Sequence, residues 1–174
     1  MWNRAFTGLV VVLPLALAGC VPDSALTAGG PPPGGVIALR LEPCTDLTHA
    51  AGYHLGAEAT NDFRSVLEAT PAFRLDPAGR YRLVCTVSDF VEGPPSVYWT
   101  PPAGAATRGK VGARIIDGAS GATLAAVRND GEVPAGGLMT VNVNSFVLRI
   151  TVERTVHDLA AWARGEHVAS AAVP

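Results

Sequence analysis

The segment from Gly104 to Lys110 reads GAATRGK, which matches the first seven positions of a phosphate-binding loop. Such a loop holds a nucleoside triphosphate because its backbone N–H groups surround the phosphates, and the Ser or Thr at its eighth position ligates Mg²⁺. The eighth residue here is Val111. A proline-rich segment precedes the motif, and a β-type pattern follows it where a helix N-terminus is needed. The sequence therefore argues against nucleotide binding.

Four histidines raise the question of a metal site. His49 and His54 are five residues apart, about 140° around a helix, so they cannot ligate one ion from a single helical face. His54, Glu58 and Asp62 do share a face, opposite an apolar one, and we interpret this stripe as solvated helix surface. We expect no metal and no other cofactor.

Serine chemistry requires a nucleophile on a strained turn, as in Gly-x-Ser-x-Gly, with a histidine base within reach. Ser120 lies in the GASG turn between two strand patterns, and Ser65 and Ser145 lie in helical patterns. We therefore expect no catalytic residues, and the chain is not predicted to be an enzyme.

The first 19 residues have the layout of an export signal. Arg4 precedes an apolar run from Ala5 to Ala18, which is interrupted by Pro14 and is shorter than the roughly 20 residues of a membrane-spanning helix. The run ends in Leu-Ala-Gly-Cys, which resembles the lipobox of bacterial lipoproteins. This resemblance implies that Cys20 is acylated, becomes the first residue of the mature chain and holds it on a membrane. An ordinary signal peptide with a chance cysteine is the alternative.

The residue after Cys20 and the net charge of the chain predict where the protein is located and what it binds. An Asp after the cysteine would resemble an inner-membrane retention signal, and the Val21 found there favours the outer membrane, with the protein facing the periplasm. The chain carries a net charge of −2, which becomes about −3 when Arg4 is removed, so no nucleic acid is expected. The expected partners are the membrane, through the lipid, and an unidentified envelope protein; the oligomeric state is open.

Cys44 and Cys85 are the remaining thiols, in a chain predicted to enter a compartment that permits disulfides. If the strand that begins at Tyr81 runs antiparallel to the strand that begins at Val36, the two cysteines are level. A bridge would close a loop of about 40 residues and stabilise the fold by about 4 kcal/mol on the chain-entropy model. Two buried free thiols are the alternative.

The chain divides into four segments. Residues 1–19 are the predicted signal, and residues 20–35 are the lipidated cysteine with a flexible tether rich in Pro and Gly. Residues 36–165 are predicted to form one periplasmic domain, and residues 166–174 a disordered tail.

Within the domain, alternating patterns predict strands at VIALRLEP, FRLD and YRLVCTVSDFVEG, followed by a hairpin formed by KVGARIID and ATLAAVRN. NDGEVPAGG is expected to lead out of the sheet. One helix of about 20 residues is predicted between a cap at Thr45 or Asp46 and Pro71. A second is predicted from about Val147 to Arg164, with a strand-to-helix transition as the alternative. The order predicts an α+β fold: a mostly antiparallel sheet of four to five strands with two helices packed on one face.

The segment before Lys110 contains four prolines and displays Tyr98 and Trp99. Exposed aromatic side chains are enriched at interface hot spots, which makes this pair a candidate partner contact. The same two side chains could instead fold back and cover the sheet.

The lipobox, the tether, YRLVCTVSDF, the hairpin ARIIDGASGATLAAV and the closing LAAWARG together resemble small envelope lipoproteins of Gram-negative bacteria. That group includes uncharacterised families, auxiliary lipoproteins of lipid-transport ABC systems and, more distantly, the curli-secretion lipoprotein. The resemblance implies a non-catalytic, outer-membrane-anchored lipoprotein that acts as an envelope assembly or transport accessory through protein binding. The alternatives are an auxiliary subunit of a lipid-transport ABC system and an envelope hydrolase.

Overall fold

The computed structural model describes residues 24–93, 106–134 and 143–166. Seven strands and two helices follow one another along these residues: β1 (Ser24–Ala28), β2 (Ile37–Leu41), β3 (Thr45–Asp46), α1 (Leu55–Glu68), β4 (Phe73–Leu75), β5 (Tyr81–Val91), β6 (Ala106–Asp117), β7 (Thr123–Pro134) and α2 (Val143–Ala163). In this part of the chain no helix is long and apolar enough to cross a bilayer.

All seven strands form one mixed sheet in the order β1-β7-β6-β5-β2-β4, with β3 paired to β5 beside this path. The ladders on the β1 side are antiparallel, whereas β2 runs parallel to both β4 and β5. The predicted α+β class with two helices is confirmed. The sheet has more than the predicted four to five strands. The prediction that it is mostly antiparallel is correct only for the β1 side, because α1 acts as a crossover that returns the chain parallel to β2.

Both helices pack on the same face of this sheet and share one apolar core with it. The first helix buries Leu55, Ala59, Phe63 and Leu67, whose spacing defines a single helical face. It is shorter than predicted and begins at Leu55, because Gly52 has a φ of +84° that an α-helix does not allow.

The predicted cap residues, Thr45 and Asp46, lie before this helix and form β3. Asp46 does accept hydrogen bonds at one carboxylate oxygen, from the backbone N–H and the hydroxyl of Thr48. It therefore caps a turn and not the helix.

The second helix confirms the helical prediction for the end of the domain, and the strand alternative is wrong. Its buried side includes Thr151 and Thr155, whose hydroxyls each donate to the carbonyl four residues earlier, so both buried hydroxyls are paired. Asn129 of β7 is also buried, and its Nδ2 donates to Asp158 Oδ2 at 2.9 Å. This hydrogen bond connects the helix to β7.

The segment predicted to be a flexible tether contains β1, so that prediction is wrong for Ser24–Ala28. These residues pair antiparallel with β7 over five positions, and Leu26 is buried in the core. Farther along, Trp162 Nε1 donates to the Gly30 carbonyl at 3.3 Å. The ladder and the burial of Leu26 offset the ordering entropy of a segment that has only one large apolar side chain.

The β6–β7 hairpin is confirmed around its GASG turn, but both strands are longer than predicted. Residues 129–134, which the sequence predicts to lead out of the sheet, continue β7 to Pro134. Gly131 makes this possible, because a Cβ there would collide with Thr151 Oγ1 and lie 3.2 Å from the Val147 carbonyl oxygen. The glycine therefore lets the helix pack directly on the strand.

Candidate functional site

Three of the predicted site residues, Cys20, Tyr98 and Trp99, lie outside the described residues. The other two, Cys44 and Cys85, form the predicted disulfide, with their Cα atoms 4.6 Å apart. The predicted reason is wrong, because β2 and β5 are parallel and pair Leu41 with Leu83. Cys44 follows Leu41 by three residues and Cys85 follows Leu83 by two, so the parallel chains bring the two cysteines next to each other. Both are buried, so the bridge is structural.

The polar stripe on the first helix is predicted to be solvated surface, and Asp62 is less exposed than this prediction implies. His54 is the N-cap residue of α1, whereas Asp62 is half-buried where α1 meets α2, 3.8 Å from Arg149 Nη1. Burial raises the pKa of Asp62, and Arg149 opposes that shift. Among the described side chains, no group of three His, Cys, Asp or Glu residues is arranged to hold a metal ion.

Five of the seven residues of the motif that resembles a phosphate-binding loop, Ala106 to Lys110, belong to the sheet. They are part of β6 and pair antiparallel with β7. The Gly109 Cα faces the second helix, since a Cβ there would lie 3.3 Å from Val147 Cγ1. An extended ladder of this kind does not turn its N–H groups toward one phosphate.

The sheet has two different faces. One is covered by the helices, and among the described residues nothing covers the other, which we call the open face. Its members alternate along the strands with the core residues and include Ala25 and Thr27 of β1, Ala38 and Arg40 of β2, Arg82, Val84 and Thr86 of β5, Gly112 and Arg114 of β6, and Ala126 and Arg128 of β7.

Four arginines cross the open face, and we call them the arginine row: Arg40, Arg82, Arg114 and Arg128, each on a different one of four neighbouring strands. Arg40 is directly opposite Arg82. Arg114 is two residues from the partner of Arg82, and Arg128 is two residues from the partner of Arg114. Diagonal neighbours of this kind are about 7–8 Å apart.

The two halves of the row differ in their counter-charges. Glu42 Oε1 lies 3.5 Å from Arg40 and 3.1 Å from Arg82, so one carboxylate serves two guanidinium groups. Within residues 24–93, 106–134 and 143–166, no hydrogen bond or ion pair engages the side chain of Arg114 or Arg128, and both are exposed.

A depression of about 440 Å³ lies beside these two arginines. Small residues line it, among them Ala25, Thr27, Ala126 and Gly112, the last of which is the register partner of Arg128. A Cβ at Gly112 would lie 3.1 Å from Thr86 Oγ1. The site is therefore a shallow cationic concavity that is suited to holding an anionic group and lacks a buried nucleophile or base.

Sequence reasoning missed the arginine row. Strand alternation in YRLVCTV and KVGARIID already directs Arg82 and Arg114 away from the core. The row itself depends on the register of four strands that are far apart in sequence, and no local pattern contains that register.

The described residues thus form a two-layer α+β domain with a charged, uncovered sheet face. PelC from Paraburkholderia phytofirmans, solved as a dodecamer, has the same fold: it is 15% identical, the match covers 80% of this chain and 98% of PelC, and the TM-score is 0.58. The hypothetical protein CT253 from Chlamydia trachomatis is 10% identical over 75% of this chain and 99% of its own, with a TM-score of 0.57.

A further match is XCC0632 from Xanthomonas campestris, of the family model DUF330, at 13% identity and a TM-score of 0.52 over 79% of this chain and 93% of its own. Lipoproteins from three more Gram-negative species are also structural neighbours, at TM-scores below 0.5. No family model and no curated protein matches the sequence. At the level of fold, the chain is thus similar to proteins of Gram-negative bacteria that include PelC and the DUF330 protein XCC0632.

Proposed function

We propose that the chain is a non-catalytic lipoprotein, anchored in the outer membrane through acylated Cys20 and facing the periplasm, where it supports envelope assembly or transport by binding another protein. The observation that carries this proposal is the distance in sequence between the lipobox and the fold. The first strand of the described residues, β1, begins at Ser24, only four residues after Cys20.

This spacing limits how far the domain can move from its anchor. A chain spans at most about 3.6 Å per residue, so Ser24 lies within about 14 Å of Cys20. The domain would therefore lie against the membrane surface. A protein that works at a fixed surface, without catalytic groups in its described site, is best suited to recruiting or positioning a partner there.

The anchor is tested by replacing Cys20 with Ala in the full chain. We expect metabolic labelling with palmitate to disappear and the protein to leave the membrane fraction, while a Val21→Ala control keeps both properties. Separating inner and outer membranes then locates the labelled protein. Unchanged labelling of Cys20→Ala would contradict the proposal.

The partner is tested by purifying the lipidated protein from crosslinked membranes and measuring the mass of the complex. An envelope protein recovered at fixed stoichiometry supports the accessory role, and ABC-transporter subunits would support the alternative of an auxiliary lipid-transport subunit. PelC is described as a dodecamer, and a complex of this chain alone would extend that property to it.

A further inference from the structure

The open face has a charge opposite to that of the chain as a whole. The chain carries a net charge of −2, whereas the open face presents the arginine row and, at its edge, Arg74. The carboxylates that pair with these arginines are Glu42 and Asp76. Positive charge is therefore concentrated on one surface of an acidic protein.

The far end of the same face shows that this excess is local. There, each basic side chain on β6 has an acidic partner on β7: Arg108 lies 3.1 Å from Glu132, and Lys110 lies 3.5 Å from Asp130. Opposite charges directly across a ladder stabilise the pairing of the strands. Arg114 and Arg128 have no such partner among the described residues, so the ion pairing of the sheet does not explain them.

The lipid anchor would bring this charge to the membrane. Ala25 of the edge strand β1 is the register partner of Arg128, and paired strands are about 4.8 Å apart. Cys20 is four residues before β1 begins. One end of the arginine row therefore lies one strand away from the segment that leads directly to the acyl chains.

We propose that the open face docks flat on the membrane that the anchor enters, with the arginine row against the phosphates of anionic phospholipids. This proposal rests on the acylation of Cys20 proposed above. Guanidinium groups bind phosphate oxygens through two parallel hydrogen bonds, and the short tether keeps the local concentration of headgroups high. The small side chains around Gly112 leave room for a headgroup between Arg114 and Arg128.

Arginine footprinting tests this docking on the lipidated full-length product. The protein is purified from membranes and placed in detergent, on phosphatidylcholine vesicles, or on vesicles with about 30 mol% phosphatidylglycerol, a fraction that gives a strongly negative surface. Phenylglyoxal then modifies exposed arginines, and mass spectrometry of peptides gives the rate at each residue.

We expect Arg114 and Arg128 to react at least about fivefold more slowly on the anionic vesicles than in detergent, because each basic group near such a surface is held there by its charge. Arg64 and Arg149, on the helices, are matched internal controls and should change less than about twofold. High salt should reverse the protection.

A paired variant separates the role of the row from that of the anchor. In Arg114→Gln/Arg128→Gln, the protection of Arg40 on anionic vesicles should also fall, whereas Arg64→Gln/Arg149→Gln, with the same change in charge, should retain it. Soluble polyglutamate, added to the protein in detergent, tests whether the arginine row binds an acidic polypeptide instead of a membrane.

The docking is overturned if Arg114 and Arg128 react equally fast on anionic vesicles and in detergent, or if phosphatidylcholine alone protects them as well. Protection by polyglutamate without protection by vesicles also overturns it, in favour of an acidic polypeptide. A protein that does not associate with any vesicle lacks the anchor and contradicts the proposed function itself.

Discussion

The two faces of the central sheet are built by the same strands and have opposite characters. On the covered face, Leu83, Val111 and Ile115 are fully buried beneath the helices. On the open face, the alternate residues of the strands are arginines, threonines, alanines, a valine and a glycine. The covered face is explained by folding alone, because each of its side chains leaves water. The charge of the open face is not explained in this way, and we therefore assign the binding role to it.

Among the substitutions considered, loss of the disulfide is expected to lower the free energy of unfolding most. One of its cysteines, Cys85, belongs to the covered face. Cys44→Ala/Cys85→Ala opens a loop whose ends are 41 residues apart, and the chain-entropy model gives a loss of about 4 kcal/mol in the free energy of unfolding. Urea denaturation of the oxidised protein and of the variant measures this difference. A loss below about 1 kcal/mol would show that the bridge adds little to the packing around it.

Two glycines on adjacent strands compare the faces directly. Gly131→Ala places a methyl group against Thr151 and the Val147 carbonyl of the second helix, and overpacking of this kind costs about 1–3 kcal/mol. Gly112→Ala places it on the open face, where the Thr86 hydroxyl can rotate away, and should stay within about 0.5 kcal/mol. Equal losses in the two variants, measured by chemical denaturation, would contradict the distinction.

An arginine that does have a structural partner gives a pH-dependent contrast. Arg80 donates two hydrogen bonds to Asp117, at 2.9 and 2.6 Å, and this contact, with the Ala119 N–H, holds the pKa of Asp117 well below its usual range. The unfolded carboxylate titrates near 4. The pair therefore stabilises the fold above about pH 4, and its contribution is lost as the pH falls toward the lower pKa of the folded state.

We expect Asp117→Asn to lower the melting temperature at about pH 6, with the difference from the parent protein shrinking as the pH falls below about 4. Melting curves followed by circular dichroism across this range test the trend. The Arg74→Gln variant, which removes a more exposed contact with Asp76, is the control and should show a much smaller pH dependence. A constant difference for Asp117→Asn would contradict the assignment.

The substitutions expected to weaken membrane docking most, at Arg114 and Arg128, are expected to change the stability of the fold least. Arg114→Gln/Arg128→Gln removes two exposed side chains that have no partner in the described part of the chain, so the free energy of unfolding should change by no more than about 0.5 kcal/mol per substitution. Denaturation of this variant measures the change. A loss above about 2 kcal/mol would mean that the arginines hold the fold together and would remove the reason for assigning them to binding.

Much of the covered face could be predicted from the sequence because its signals are local. The alternation of Leu83, Cys85 and Val87 predicts β5, and the spacing of Leu55, Ala59 and Phe63 predicts the apolar side of α1. The GASG turn likewise marks the β6–β7 hairpin. Each of these patterns lies within a single element and reports which side of that element is buried.

The open face and the edges of the sheet could not be predicted in this way. Strand β1 has a single large apolar residue, Leu26, so its order comes from β7, about 100 residues later. The parallel pairing of β2 with β5 aligns Arg40 with Arg82 and depends on the crossover through α1. Such pairings between distant segments align the four arginines, and no short stretch of the sequence contains the information that sets them.

The central claim is that the mature protein begins at an acylated cysteine directly before an ordered edge strand, which holds the open face at the membrane. Mass spectrometry of the N-terminal peptide of the protein purified from membranes tests it most directly. We predict a peptide that starts at Cys20 and carries the mass of its acyl chains. A chain that begins at any other residue, or at an unmodified Cys20, would contradict the account.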